Sequence, residues 1–137
     1  MNLLRLAHMT GEQDLAVRAG KVLEVFSAQV MASPAECTMF LEAVDFLTGP
    51  TQEVVIVGRR DTQAARALLD ALNREFLPRC VILLRDEEDA KIARIAPFTA
   101  AQRSMDGKAT AYVCRSFVCQ APTTSAEAML EVLRTGV

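Results

Sequence analysis

Residues 53–84 of this chain read EVVIVGRRDTQAARALLDALNREFLPRCVILL, and they decide its fold. The stretch begins and ends with short, uninterrupted runs of aliphatic residues, as expected for strands that are covered on both faces. Between the runs, apolar residues recur at three- and four-residue spacing, which predicts an amphipathic helix. Asp61 or Thr62 would cap this helix, Phe76 would lie on its apolar side, and the helix would end before Pro78. A strand, a helix and a strand with short links form a βαβ unit with parallel strands.

Further strands and helices are predicted after this unit. Residues 86–95 have the pattern of a short amphipathic helix, and residues 98–108 have that of a surface loop. Strands follow at about residues 110–114 and 117–120, and Ser125 is expected to cap a final helix. These elements predict a mixed sheet of about four strands.

The N-terminal part of the chain has a helical pattern. Thr10 and Gln13 have the spacing of a capping box at the start of the second helix. Ser33-Pro34 is a start signal for a third helix over residues 35–47. This third helix is apolar on nearly all sides, so it should be buried between neighbours, and three helices are too few to surround it.

The pattern changes at Gly49-Pro50, which divides the chain into two segments. Residues 1–49 form a helical segment of three helices, and residues 50–137 form a small α/β unit. Together they are expected to build one compact structure of the α/β class, or α+β when the N-terminal helices are included.

Cys114 and Cys119 lie on either side of the connector Arg115-Ser116 between the last two predicted strands. A two-residue turn at this connector would place both side chains on one face at a diagonal, where a disulfide is allowed but strained. The favoured interpretation is a pair of small, buried core residues, and redox activity is the alternative. Tyr112 is predicted to share this face, with its hydroxyl bonded near the helical segment.

Arg59 and Arg60 form a candidate anion-binding site, because they follow a strand at the point where α/β sheets bind anions. A pair of solvated loop residues is the simpler interpretation. The surrounding sequence, VGRRD, has one glycine and matches neither a dinucleotide-binding nor a Walker motif. No cofactor is therefore predicted.

Other chemical sites have less support. A metal site is not predicted, because zinc needs more ligands at suitable spacing and His8, the only histidine, is far from the cysteines in sequence. Glu42 and Asp45 lie on the apolar third helix, where they would face a sugar-binding cavity or, in the favoured interpretation, its rim.

Composition narrows the class of protein. The net charge is −2 and both signs are mixed along the chain, which argues against nucleic-acid binding. No apolar run approaches the roughly 20 residues that span a bilayer. The N-terminus lacks a signal-peptide pattern, so we expect a cytoplasmic protein whose four cysteines are reduced.

Several segments resemble the C-terminal part of the thioredoxin-domain-containing proteins, a family with spermatogenesis-associated members in animals and with bacterial members. The resemblance rests on EVVIVG, LPRCVILLRD and, above all, on residues 111–114 and 119–122 within DGKATAYVCRSFVCQAP. It extends to the helices through LLRLAHMTGEQDLAVRAGKVLEVF and AECTMFLEAVDFLTGP. It implies a thioredoxin-like domain followed by an α/α toroid similar to those of sugar-epimerising and glycoside-processing enzymes. The functional positions of both would lie upstream of Met1, so the resemblance assigns no functional residue here.

The sequence thus favours a non-catalytic structural or interaction module at the C-terminal end of a larger protein. Its partner would be the upstream toroid and thioredoxin-like domain, or a second copy bound through residues 35–47. Two enzymatic alternatives remain: part of a carbohydrate-processing protein, or a thiol oxidoreductase that uses Cys114 and Cys119. Neither nucleic acid nor membrane is an expected partner.

Overall fold

A computed structural model describes residues 1–135, which form helices packed on a mixed β-sheet. In chain order the elements are α1 (Asn2–Thr10), α2 (Gln13–Ala32), α3 (Thr38–Thr48), β1 (Gln52–Val57), α4 (Gln63–Asn73), β2 (Cys80–Arg85), α5 (Lys91–Ile95), β3 (Thr110–Arg115), β4 (Val118–Cys119) and α6 (Ala126–Thr135). The predicted α/β fold class is confirmed. The last two residues of the predicted second segment, 136–137, lie outside the described range.

The sheet contains, within residues 1–135, four strands in the order β2-β1-β3-β4. β1 pairs in parallel with β2, from Gln52 opposite Cys80 to Val57 opposite Arg85. β1 pairs antiparallel with β3, and β3 pairs antiparallel with β4. The predicted βαβ unit and the mixed sheet are therefore confirmed.

The two faces of the sheet carry different kinds of side chain. On one face, Val54 lies in an aliphatic core with Leu68 of α4 and Met129 of α6. Because side chains alternate along a strand, Glu53 and Val55 point to the opposite face. There Val55 packs with residues of α1 and α5. We call this side the α1 face, and it carries the polar groups described below.

The start of α2 differs from the predicted capping box. Thr10 still belongs to α1, whose last turn is closed by the Gly11 N–H donating to Ala7 O at 2.8 Å. The Thr10 hydroxyl donates to Leu6 O and accepts the N–H of Glu12. Glu12, rather than Thr10, is the N-cap residue of α2. The capping-box prediction is wrong because α1 extends through its first residue.

Helix α3 begins later than the predicted helix over residues 35–47. Ser33 ends α2, since its N–H donates to Gln29 O. Pro34–Glu36 then form a single 3₁₀ turn, and α3 starts at Thr38. The fixed φ of proline suits the first turn of an α-helix and of a 3₁₀-helix alike. Ser33-Pro34 therefore marks a connecting 3₁₀ turn here rather than the start of α3.

Helix α4 is capped by one of the two predicted residues, but it ends earlier than predicted. Of the two candidate caps, Thr62 acts, because its hydroxyl oxygen accepts the N–H of Ala65 at 3.2 Å. The helix ends at Asn73, where the N–H of Glu75 turns to Leu72 O in a tighter, three-residue bond. Phe76 therefore lies beyond the helix and is 91% exposed, so its predicted place on the apolar side is wrong.

Helix α5 is shorter than the predicted helix over residues 86–95. The side chains of Asp86 and Asp89 accept the N–H groups of Glu88 and Lys91, respectively. These local bonds hold residues 86–90 in turns, which aspartate side chains commonly stabilise. The helix therefore begins only at Lys91.

Tyr112 holds the loop that connects α5 to β3. Its hydroxyl accepts the N–H of Arg103 at 3.0 Å and donates to Arg103 O at 2.7 Å. The ring lies on the α1 face, as predicted, but its partner belongs to the loop rather than to the helical segment. The loop reverses at Asp106-Gly107, where both residues have positive φ.

Candidate functional site

The β3–β4 hairpin joins two cysteines in a disulfide. Arg115 pairs with Val118 and Cys114 pairs with Cys119, so the two cysteines lie directly opposite each other. Their Cα atoms are 3.8 Å apart and their sulfurs are bonded. The predicted diagonal arrangement is wrong by one residue, because the turn lies at Ser116-Phe117 rather than at Arg115-Ser116. The expectation that all four cysteines are reduced is also wrong for this pair.

The turn residues have an unusual backbone conformation. Ser116 and Phe117 have φ values of 49° and 65°. Positive φ at both central positions is what a tight hairpin turn with the right-handed strand twist requires, and it usually falls to Gly or Asn. A phenylalanine there is disfavoured and needs support from its surroundings. The Phe117 N–H donates to Glu53 Oε2 at 3.2 Å, and its ring packs at 5.0 Å from that of Phe98.

Glu53 places a buried carboxyl group beside the disulfide. It is 0% exposed and lies on β1 directly opposite Cys114. Residues directly opposite on neighbouring antiparallel strands have β-carbons about 4.5–5.5 Å apart on the same face. Its Oε1 lies 2.6 Å from Nδ1 of His8, on α1. An ionised carboxylate only accepts hydrogen bonds, so Nδ1 donates when Glu53 is charged.

His8 connects this buried carboxyl group to solvent. Its ring is stacked on Phe117 at 6.0 Å and meets the edge of Phe46 at 5.5 Å. The side chain nevertheless remains 26% exposed. It borders a cavity of about 220 Å³ whose lining residues are Ala7, His8, Gln13, Ala16, Ser116 and Phe117. The imidazole therefore lies between the Glu53 carboxyl group and this cavity.

The amide of Gln102 approaches the disulfide from the loop before β3. Its Nε2 lies 3.5 Å from Cys119 Sγ and 4.0 Å from Cys114 Sγ. The Gln102 carbonyl oxygen accepts from Arg85 Nη1 at 2.5 Å and from Arg103 Nη1 at 2.9 Å, which fixes the main chain. Among the described residues, Gln102 Oε1 and Arg85 Nε are buried without a hydrogen-bond partner. The amide is thus placed to donate to sulfur.

The two remaining cysteines are free thiols. Cys37 is half-buried at the start of α3, and Cys80 is half-buried on β2. Burial, followed by the charge of Glu53, raises the pKa of the Cys80 thiol to about 12. Cys80 therefore stays protonated at neutral pH and reacts slowly with electrophiles.

The candidate anion site does not gather its two arginines. Arg59 pairs with Asp61, with Nη2 donating to Oδ2 at 3.0 Å, and this bond lowers the pKa of the Asp61 carboxyl group. Arg59 and Arg60 line different cavities. The cavity beside Arg59 is also lined by Glu87 and Glu88, which would repel an anion. Both arginines lie on the surface, as the simpler interpretation expects.

The two carboxylates of α3 also have separate environments. Asp45 forms a two-bond ion pair with Arg79, in which Nε donates to Oδ2 at 2.8 Å. That hydrogen bond lowers the pKa of Asp45. Glu42 is exposed. Asp45 therefore ties α3 to the segment before β2.

Two further features concern only the described part of the chain. Among residues 1–135, no three His, Cys, Asp or Glu side chains gather in a way that could hold a metal ion. No helix in that range is both long and apolar enough to cross a bilayer.

The Glu53–His8 pair was not among the sites predicted from the sequence. One signal was available: Glu53 heads the aliphatic run of β1, and a charged residue beside such a run needs a partner if the strand is covered. The partner itself is 45 residues away in sequence. Only the packing of α1 on the sheet identifies it.

The chain is similar to spermatogenesis-associated protein 20 from three mammals. It is 29% identical to the Homo sapiens protein, 27% to the Rattus norvegicus protein and 26% to the Mus musculus protein, each over 124 residues. The alignments cover 90% of this chain but only 16% of each relative. No protein-family model matches the chain, and no solved structure matches it. These relatives support the resemblance to spermatogenesis-associated proteins and are consistent with a domain of a larger protein.

Proposed function

We propose that this chain is a non-catalytic packing domain at the C-terminal end of a larger protein. In that protein an apolar surface of α2 and α3 is covered by further helices of the same polypeptide. The observation that carries the proposal is the exposure of this surface. The small share of each relative that the chain covers, 16%, supports further polypeptide as the covering layer. The resemblance to proteins with a thioredoxin-like domain and an α/α toroid suggests that the last helices of the toroid provide it.

The surface is formed by residues from two neighbouring helices, and we call Val22, Phe26, Met39 and Phe40 the α2–α3 surface. Val22 and Phe26 are four residues apart, so they lie on one side of α2. The rings of Phe26 and Phe40 are 6.1 Å apart, which links the two helices. Val22, Met39 and Phe40 also line one groove of about 360 Å³. The four side chains thus form one continuous patch.

The patch remains open to solvent in this chain. Phe26 is 47% exposed and Met39 is 67% exposed. Leu41 and Leu47, also on α3, are exposed as well, whereas Phe46 faces the core. Burying each large apolar side chain contributes about 1.5–3 kcal/mol, so a contiguous patch of this kind favours a covering layer.

The composition of the patch indicates the chemistry of that layer. Its side chains are aliphatic, aromatic and thioether groups, which pack well against the apolar side of a helix. A packed helix of the same polypeptide gains this contact without the entropy cost of association. A separate copy of this chain would have to overcome that cost.

Light scattering coupled to size-exclusion chromatography tests the proposal on the isolated chain, together with a dye that reports accessible apolar surface. We expect a monomer that binds the dye, and we expect Phe26→Glu to reduce dye binding. Phe76→Glu is the matched control, because Phe76 is exposed but lies outside the α2–α3 surface. Little dye binding by the unmodified chain would refute the proposal. A dimer that Phe26→Glu dissociates would identify a second copy as the covering layer.

A further inference from the structure

We propose that Cys114–Cys119 is a redox-active disulfide, which an external dithiol reduces by attack at Cys119 while the Glu53–His8 pair supplies a proton to Cys114. The inference goes beyond the packing role, because it assigns chemistry to residues outside the α2–α3 surface. It rests on the unequal exposure of the two sulfurs, on the carboxyl group of Glu53 with its partner His8, and on the amide of Gln102.

The two sulfurs differ in their access to solvent. Cys114 is 0% exposed near the end of the inner strand β3, whereas Cys119 is half-buried on the short edge strand β4. Exchange requires a thiolate to approach a sulfur along the S–S axis, so the accessible sulfur is the one attacked. Cys119 is therefore the electrophile and Cys114 is the leaving group.

The leaving group needs a proton because of its surroundings. A Cys114 thiolate would be fully buried and next to the Glu53 carboxyl group on the adjacent strand. Burial and a neighbouring negative charge both disfavour a thiolate. The Glu53–His8 hydrogen bond links that position to the cavity beside His8. The pair can thus hold a proton, pass it to Cys114 and recover one from water.

The reaction balances in two steps. A thiolate of the dithiol attacks Cys119 Sγ, forming a mixed disulfide and releasing Cys114, which takes a proton from the Glu53–His8 pair. The second thiol of the reagent then attacks as its thiolate. It attacks the reagent's own sulfur in the mixed disulfide and releases Cys119, which takes a proton from solvent. The protein disulfide gains two electrons and two protons, and the dithiol becomes a disulfide.

The Gln102 amide acts in the second step, after the attack at Cys119. Its Nε2 is nearer to Cys119 Sγ than to Cys114 Sγ, at 3.5 Å against 4.0 Å. A donor at that position stabilises negative charge on Cys119 when the mixed disulfide is resolved. Titratable or charged groups near the site include Tyr112 on β3, Cys80 and Arg85 on β2, and Arg103 in the loop.

Reduction by dithiothreitol under native conditions tests the proposal. Alkylation after unfolding counts the free thiols, Cys37 and Cys80 in the oxidised chain and all four cysteines in the reduced one. Alkylation without denaturant follows Cys80, whose protected thiol reports opening of the core. We expect the disulfide to be reduced while Cys80 stays protected. Reduction only together with Cys80 exposure would overturn the proposal, because the disulfide would then react through unfolding alone.

The role of the Glu53–His8 pair is tested by the pH dependence of the reduction rate, divided by the thiolate fraction of the reagent. For the unmodified chain we expect this normalised rate to fall as pH rises, because the departing Cys114 takes up a proton in the first step. Glu53→Gln should slow reduction about tenfold or more at neutral pH and give a flat profile. Glu36→Gln is the control, because it removes an exposed carboxyl group outside the site. His8→Gln should reproduce the flat profile if Glu53→Gln does not fold. Identical, flat profiles for the unmodified chain and these variants would refute the proton transfer.

The direction of attack has its own test. In Cys114→Ala the free Cys119 should react with a small aromatic disulfide about tenfold or more faster than the free Cys114 does in Cys119→Ala, because only Cys119 is accessible. Equal rates, or a faster Cys114, would refute attack at Cys119.

Discussion

Truncation of Phe46 should show whether the N-terminal helices and the sheet unfold as one unit. Phe46 lies on α3 and is 1% exposed. It shares a core with Leu4 of α1 and Val81 of β2, and its ring meets the edge of His8 at 5.5 Å. Phe46→Ala therefore removes packing from two helices and one strand at once.

The expected loss can be estimated from these contacts. Phe-to-Ala substitutions at buried sites cost about 3–5 kcal/mol, including the cavity that remains. The loss of the aromatic edge contact with His8 places this site near the middle of that range, at about 4 kcal/mol. With an m-value of roughly 2 kcal/mol/M in urea, the unfolding midpoint should move down by about 2 M.

Urea unfolding followed by far-ultraviolet circular dichroism measures this shift, since the chain contains no tryptophan. Phe76→Ala is the matched control: its ring is 91% exposed, so we expect a change within about 0.5 kcal/mol. A loss below about 1 kcal/mol for Phe46→Ala would refute the packing argument. Two separate transitions would show that the helices and the sheet unfold independently.

Two further predictions concern hydrogen bonds at the surface. Tyr112→Phe removes both bonds to the main chain of Arg103 and should cost about 1 kcal/mol in urea unfolding, and a loss above about 3 kcal/mol would mean that more than the loop depends on this hydroxyl. Asp45→Asn should lower the urea midpoint at pH 7, because the bond from Arg79 holds the pKa of Asp45 below its ordinary value of 3.8. This stabilisation is present above that value and is lost as pH falls through the lowered pKa of the folded chain, so the difference between variant and unmodified chain should shrink below about pH 3.8. Asp14→Asn, which affects an exposed ion pair within α2, should show a smaller difference at pH 7, and an equal one would contradict the special role of Asp45.

The hairpin shows how far sequence reasoning reaches and where it stops. Its two strands and the closeness of the cysteines could be predicted from the apolar pattern around a short connector. The register could not, because the turn uses Ser116 and Phe117 at positive φ, where glycine or asparagine is expected. When the turn moves by one residue along the chain, the residue opposite Cys114 changes. The diagonal pair of cysteines then becomes a directly opposed pair.

The βαβ unit and the N-terminal helices were determined by the sequence itself, because hydrophobic periodicity is a local property that each segment carries alone. The ends of the helices were harder to predict from the sequence. They depend on which of several local donors and acceptors forms the hydrogen bond, as at Thr10 and Asn73. The Glu53–His8 pair was decided only by the tertiary structure. A buried carboxyl group needs hydrogen-bond donors, but the packing of α1 on the sheet, and no feature of either segment, selects an imidazole 45 residues away as one of them.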